Sequence, residues 1–290
     1  MQKLIYENIL GERVEFFHAP FVLCSVQGTG LNELKISAFS GAYQQGEVIT
    51  ALKRESRRVK VSLHLMANSR EELYRLRCQL AGKLSADKAF DGVNRARIIY
   101  QNDFCTRWTW ATPEYGSHWN ERKQNVHPSL TVTFRCESPF WYGMDKQETA
   151  FQERNIGFRL PMKLPFRLGT KVFGQMVENH GQNDAPVSLT IVGTGEAPRL
   201  INLTTGAMIE LVAPLPFGDV LAVDTDPTAL RAVIRRADGG EENGFGLLSP
   251  ESSVSAFCLK PGNNELKYEA GIGGSSTEIR LSWYERFEGV

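Results

Sequence analysis

Long apolar runs are missing from this sequence. No stretch approaches the roughly 20 residues that a membrane-crossing helix needs, so a spanning segment is not expected. The opening MQKLIYENILGERVEFF carries Glu7, Glu12 and Glu15 where a secretion signal needs an unbroken apolar centre. Cysteine is scarce. The five residues Cys24, Cys78, Cys105, Cys136 and Cys258 are odd in number, widely spaced and without a Cys-x-x-Cys pair. That pattern excludes a disulfide framework or a zinc ribbon and predicts reduced, mostly buried thiols in a protein made in the cytosol. Excess charge is also absent: 33 Lys and Arg balance 33 Asp and Glu. A dedicated nucleic-acid or anionic-membrane binder would need a basic surplus. The balance hides a mild asymmetry, with the first half basic and the half after Phe151 acidic.

Catalytic signatures are lacking too. The histidines His18, His64, His118, His127 and His180 form no His-x-x-x-His, and no Gly-x-Ser-x-Gly or phosphate loop occurs. Gly193-Thr-Gly195 opens no helix, so it is not a nucleotide loop. Asp219, Asp224 and Asp226 admit a calcium reading, but turn-building at the two ends of one strand is the simpler one. The sequence therefore predicts no cofactor, no metal and no enzyme. A hydrolase with paired carboxylates ranks last, because nothing positive supports it.

What is present centres on Arg57–Ser85. Val59, Val61, Leu63 and Leu65 alternate with Lys60, Ser62 and His64, the period of a strand with one buried face. The period then changes. Ser69 and Glu72 have capping-box spacing, and Leu73, Leu76, Leu80, Ala81 and Leu84 make one helical stripe. This is the only convincing helix in the sequence. It is expected to lie on a sheet assembly, because its other candidate partners are almost all strands.

Around it, Lys3–Asn8 and Glu12–His18 read as a hairpin, and Phe21–Gln27 and Leu34–Phe39 as strands. The basic cluster Lys53, Arg54, Arg57, Arg58 and Lys60 is read as an exposed strand face or a subunit contact rather than a phosphate patch. Ala96–Tyr100, Thr106–Ala111 and Val126–Cys136 complete the first part. Trp108, Trp110 and Trp119 are candidate contacts for a glycan or a protein partner; such aromatics more often close a core or an interface. The first domain is placed at 1–142. An extended connector spans 143–177, marked by Phe158-Arg-Leu-Pro161-Met-Lys-Leu-Pro165-Phe166. Short strands with turn chemistry between them then fill 178–290 and predict a β-sandwich, with the final strand Glu278–Tyr284 tied into a sheet. The fold class is mainly β.

These residues also resemble the distal tail proteins of siphophages. The opening Leu4-x-Tyr6-x-Asn8-x-x-Gly11-Glu12, then Arg58 and the helix, then Cys136-Glu-Ser-Pro139-Phe140-Trp141 follow the family's order. The proline-marked crossover Phe158–Phe166 comes next. Later come Asn179-x-Gly181, Gly193, Ile201-Asn202-x-Thr204-Thr205-Gly206, Gly218-Asp219, Asp224-Thr225 and Leu259-x-Pro261-Gly262-Asn263. Trp283-Tyr284-x-Arg286-x-x-Gly289-Val290 closes the set. The Arg107–Gln124 region departs from the pattern.

The resemblance implies a structural virion protein at the distal end of the tail, synthesised in the host cytoplasm. It implies an N-terminal domain that closes a hexameric ring of identical copies and a galectin-like C-terminal sandwich. The implied partners are the tail tube protein, the tail-associated hub protein and receptor-binding proteins. The competing class is a carbohydrate-binding, lectin-like module that stacks sugar on its tryptophans.

Overall fold

The structure, a computed structural model, describes residues 2–85, 95–114, 118–120, 128–152, 171–193, 197–270 and 277–290. It is mainly β. The chain forms two compact units, one from Met1–Met144 together with Phe287–Val290, the other from Asp145–Arg286.

The first unit opens with β1 (Lys3–Glu7) and β2 (Arg13–Phe16), paired antiparallel from Leu4↔Phe16 to Glu7↔Arg13. Their turn is built by Asn8, whose side-chain oxygen accepts the N–H groups of Leu10 (3.0 Å) and Glu12 (2.9 Å). Then come β3 (Phe21–Gln27), β4 (Leu34–Phe39), β5 (Val48–Arg54), β6 (Arg58–Leu65) and α1 (Arg70–Leu84). β7 (Arg97–Gln101), β8 (Thr106–Pro113), β9 (His118–Asn120), β10 (Ser129–Cys136) and β11 (Trp141–Gly143) follow. The main sheet runs β2-β1-β7-β8-β10-β6-β3, with β11 joined to β8 and β9 to β10. Its two ends meet: the Phe17 N–H donates to the Phe21 carbonyl (3.0 Å) and the Leu23 N–H to the Phe17 carbonyl (3.4 Å). The sheet thus curls on itself around one core, to which Leu4, Tyr6, Phe16, Val61, Leu63, Ile98, Phe134 and Trp141 belong. Burial pushes the Tyr6 phenol up to about 12.

The helix forms where its cap spacing predicts. The Ser69 hydroxyl accepts the Glu72 N–H (3.1 Å). The Glu72 carboxylate reaches back one residue further than the cap, to the Asn68 N–H (2.8 Å). Leu73, Leu76 and Leu80 are buried, whereas Ala81 is exposed and Leu84 half-buried, so the stripe is narrower than its spacing suggests. Leu80 enters the main core, and Leu73 and Leu76 pack with Leu65, Ala67 and Phe21. The thiols depart from expectation: all five are free, but only Cys136 is buried.

The second unit comprises β12 (Gln147–Gln152), β13 (Lys171–Asn179), β14 (Ala185–Pro186), β15 (Ser188–Val192), β16 (Arg199–Asn202) and β17 (Met208–Glu210). It continues with β18 (Val220–Asp224), β19 (Arg231–Arg235), β20 (Glu241–Asn243), β21 (Cys258–Leu259), β22 (Gly262–Ala270) and β23 (Glu278–Trp283). Six strands form one sheet, β12-β23-β15-β18-β19-β20, and four form another, β13-β22-β16-β17. Both feed a single core: Leu189, Leu221, Ile234 and Leu281 from the first, Leu200, Ile209, Leu266 and Tyr268 from the second. This is a β-sandwich.

The boundaries differ from the sequence reading in two places. Residues 143–177, expected as a connector, contain β12 and most of β13. Both are edge strands. The proline-marked Phe158–Phe166 lies outside the described residues. At the other end, Phe287–Val290 belong to the first unit, not the second. Glu241 and Glu242 lie in β20 at the far edge of its sheet.

Candidate functional site

Of the three tryptophans singled out by the sequence, Trp108 and Trp110 have described side chains. Trp108 is buried, and its indole N–H donates to the Gly143 carbonyl (2.8 Å). It packs edge-on to the half-buried Trp110 (centroids 4.8 Å apart) and tilted against Tyr142 (4.9 Å). A ring enclosed in this way has no open face for a sugar. Trp119 sits in β9, whose backbone pairs with β10 through Leu130↔Trp119; its side chain lies outside the described residues.

The acidic residues read as turn builders are engaged as such. Asp219 accepts the Ala237 N–H (2.9 Å) and pairs with Arg236 (2.6 Å). The Arg236 guanidinium and that N–H hold its carboxyl below the usual range. Asp226 accepts the Thr228 N–H and hydroxyl and pairs with Arg286 (2.7 Å). Among the described residues no three His, Cys, Asp or Glu side chains stand close enough to hold a metal. A cleft in the second unit is lined by Asp184, Thr205, Ser255, Phe257, Cys258 and Lys260, among others. Lys260 is paired with Asp184 (2.5 Å), and burial with the nearby Asp184 charge pushes the Cys258 thiol up, away from an activated nucleophile.

The feature that sequence reasoning misses is the hairpin β4–β5. Among the described residues its strands pair only with each other, through Leu34↔Arg54, Lys35↔Lys53, Ile36↔Leu52 and Ser37↔Ala51, with a bulge before Ala38↔Ile49 and Phe39↔Val48. The alternation of Leu34, Ile36 and Ala38 predicts one buried face, yet every residue of both strands is exposed. Ile36 is 53% exposed, Leu52 60% and Phe39 66%. Tyr43 at the tip and Leu31 at the root are exposed as well. A two-stranded ribbon is at best marginal in water alone. Fully covering a side chain such as Ile36 or Phe39 would contribute about 1.5–3 kcal/mol. Opposite this apolar content, Lys35 and Lys53 stand directly across from one another, a like-charge pair that Glu55 offsets in part by pairing with Lys35 (4.0 Å).

The basic cluster at the base of this hairpin does not form a patch. Arg54 pairs with Glu288 (2.7 Å) and lies over the Phe140 ring (5.4 Å). Arg58 pairs with Glu114 (2.9 Å). Arg57 is buried, at 1% exposure. Its Nε and Nη2 donate to the Pro139 carbonyl (3.1 and 2.8 Å), its Nη1 to those of Gly28 (2.6 Å) and Gly30 (2.5 Å), and its Nη2 also to that of Glu288 (2.6 Å). All five guanidinium N–H donors are thereby used. Burial lowers the Arg57 pKa, and the carbonyl cage is what keeps the charge in place.

No protein-family model and no curated protein matches the chain. Among solved structures it is similar to the crystal structure of the SPP1 Dit (gp 19.1) protein, described as a paradigm of the hub adsorption apparatus in phages that infect Gram-positive bacteria. The identity is 17%, the match covers 99% of this chain and 99% of that one, and the TM-score is 0.69. It is also similar to a chain of the phage P2 baseplate in its activated, calcium-bound conformation, at 14% identity, 97% coverage of each chain and a TM-score of 0.51. No helix among the described residues is long and apolar enough to cross a membrane. From its first hairpin to Val290 the chain carries the fold of a phage distal tail (Dit) protein, in agreement with the resemblance read from its sequence.

Proposed function

We propose that the protein is a structural, non-enzymatic component of a phage tail: a distal tail protein whose copies close into a ring. The observation that carries this reading is the β4–β5 hairpin, apolar and exposed along its whole length, in a chain that shares the Dit fold end to end. Six copies associate head to tail through residues 1–142, and such rings close when the rotation permits. The hairpin of one copy lies on the next, with Lys35 and Lys53 against acidic side chains. The ring joins the tail tube protein to the tail-associated hub protein. The second unit, galectin-like on this reading, carries receptor-binding proteins outward. The protein is made in the host cytoplasm and resides at the distal end of the virion tail.

Sedimentation over a wide concentration range, alone and with the tube protein, followed by imaging of any particle, tests this. Rings are expected, and Ile36→Glu or Leu52→Glu should abolish them without unfolding the monomer. A wild-type protein that stays monomeric even with the tube protein, or that binds glycan as a monomer, would overturn the reading.

A further inference from the structure

Phe287 ends a short strand that pairs with β11, and Glu288–Val290 run on to the root of the β4–β5 hairpin. The root consists of the segment entering β4, Gly28–Glu33, and the segment leaving β5, Glu55–Arg57. The Asn32 side-chain N–H donates to the Glu55 carbonyl (2.5 Å), tying the two together. Arg57 holds the carbonyls of Gly28 and Gly30 on one side and of Glu288 on the other. The Val290 N–H donates to the Thr29 carbonyl (3.1 Å). The Glu288 carboxylate pairs with Arg54, the last residue of β5. Arg107, from β8, donates to the Gly289 carbonyl and lies over the Phe287 ring (3.6 Å), fastening the strap from behind.

Gly28 lets the root close onto β6, and Gly289 lets the strap approach the root. Gly28 has φ +86°, and a Cβ there would lie 2.0 Å from the Arg58 carbonyl oxygen. A Cβ on Gly289 would lie 3.0 Å from the Thr29 oxygen and 3.2 Å from the Gly30 Cα. Side chains are excluded where the strap crosses the root.

We infer that Phe287–Val290 and Arg57 form a clasp that fixes the root of the hairpin, and that Arg57 is a positioning residue for assembly. Among the described residues the hairpin has no other β partner, so its direction is set where it leaves the sheet. This part of the inference rests on the self-assembly reading above. A ribbon whose root is free samples many orientations, and ordering it on contact costs conformational entropy that a fixed root has already lost.

The test compares the full chain with three variants: deletion of 287–290, Gly289→Val, and Arg57→Lys, which keeps the charge and loses the fork. Hydrogen exchange on dilute protein reads the root, and sedimentation reads assembly. The clasp predicts exchange at Thr29–Asn32 and Glu55–Arg57 faster by at least about tenfold, with β1, β7 and β10 still protected. It also predicts assembly weakened by about tenfold or more. Unchanged exchange at the root overturns the clasp. Faster exchange spread evenly over β1, β7 and β10 also overturns it, because Arg57 is then a stability residue only. Loosened roots with assembly at wild-type strength overturn the positioning role. The self-assembly reading fails separately, through a wild-type protein that never associates, and root exchange then still decides whether the clasp exists.

Discussion

Arg57 and its neighbour Arg58 are adjacent and chemically identical, yet one is caged by carbonyls and the other pairs with Glu114 near solvent. The period of two that runs through Val59 and Val61 places Arg57 on the buried side and Arg58 on the exposed one, but it does not reveal the carbonyls that hold Arg57, which come from residues 28, 30, 139 and 288. Glu269 in the second unit allows a pH test at the same scale. Lys267 and Arg199 both pair with it and hold its carboxyl below the usual range. A lowered folded-state value means a contribution present above the ordinary glutamate range and lost as pH falls through the folded value. Glu269→Gln should therefore flatten the acid side of the stability profile and leave its slope near neutrality unchanged. Urea titrations at several pH values would read this, and an unaltered acid limb would count against it.

At the scale of elements, the helix is the most legible part, because cap spacing and stripe are both local. Leu76→Ala and Leu80→Ala should each destabilise by about 2–5 kcal/mol. Leu80 is the more costly, since it is 1% exposed and enters the larger core. Ser69→Ala should cost about 1 kcal/mol. Thermal melts of the three variants check the order, and wild-type melting of the leucine variants would refute the packing. The turns were legible for the same reason. Asn202 accepts the Thr204 N–H through its side chain and the Gly206 N–H through its carbonyl, with Gly206 at φ +76°. So the motifs that carried the family resemblance are largely turn chemistry. The hairpin misled because alternation reports which side chains share a face, not whether anything covers that face. Leu34 and Ile36 alternate as a core strand would, and none of the described residues covers them.

For the whole molecule, the sequence showed two β-rich parts and the pattern change near Asn179, but not the strands at the sandwich edges. β12 pairs with β23 along its full length, Gln147↔Trp283 to Gln152↔Glu278. A fragment of residues 145–286 should therefore fold alone and unfold cooperatively. One of residues 167–290 leaves β23 as an uncovered edge and should aggregate. Calorimetry and light scattering on the two fragments separate these outcomes, and a well-behaved shorter fragment would show β12 to be dispensable.

The division of the chain, with Asp145–Arg286 set between two pieces of one unit, has a mechanical consequence. A domain appended at an end hangs by a single covalent strand. Here two crossings join the units, one after Met144 and one before Phe287. Tension on the second unit is carried by both in parallel. A single break at either crossing still leaves 287–290 bonded to the first unit through Arg57, Arg107 and Thr29. The second unit would come away only after a cut strand and a slipped strap, so no single break frees it.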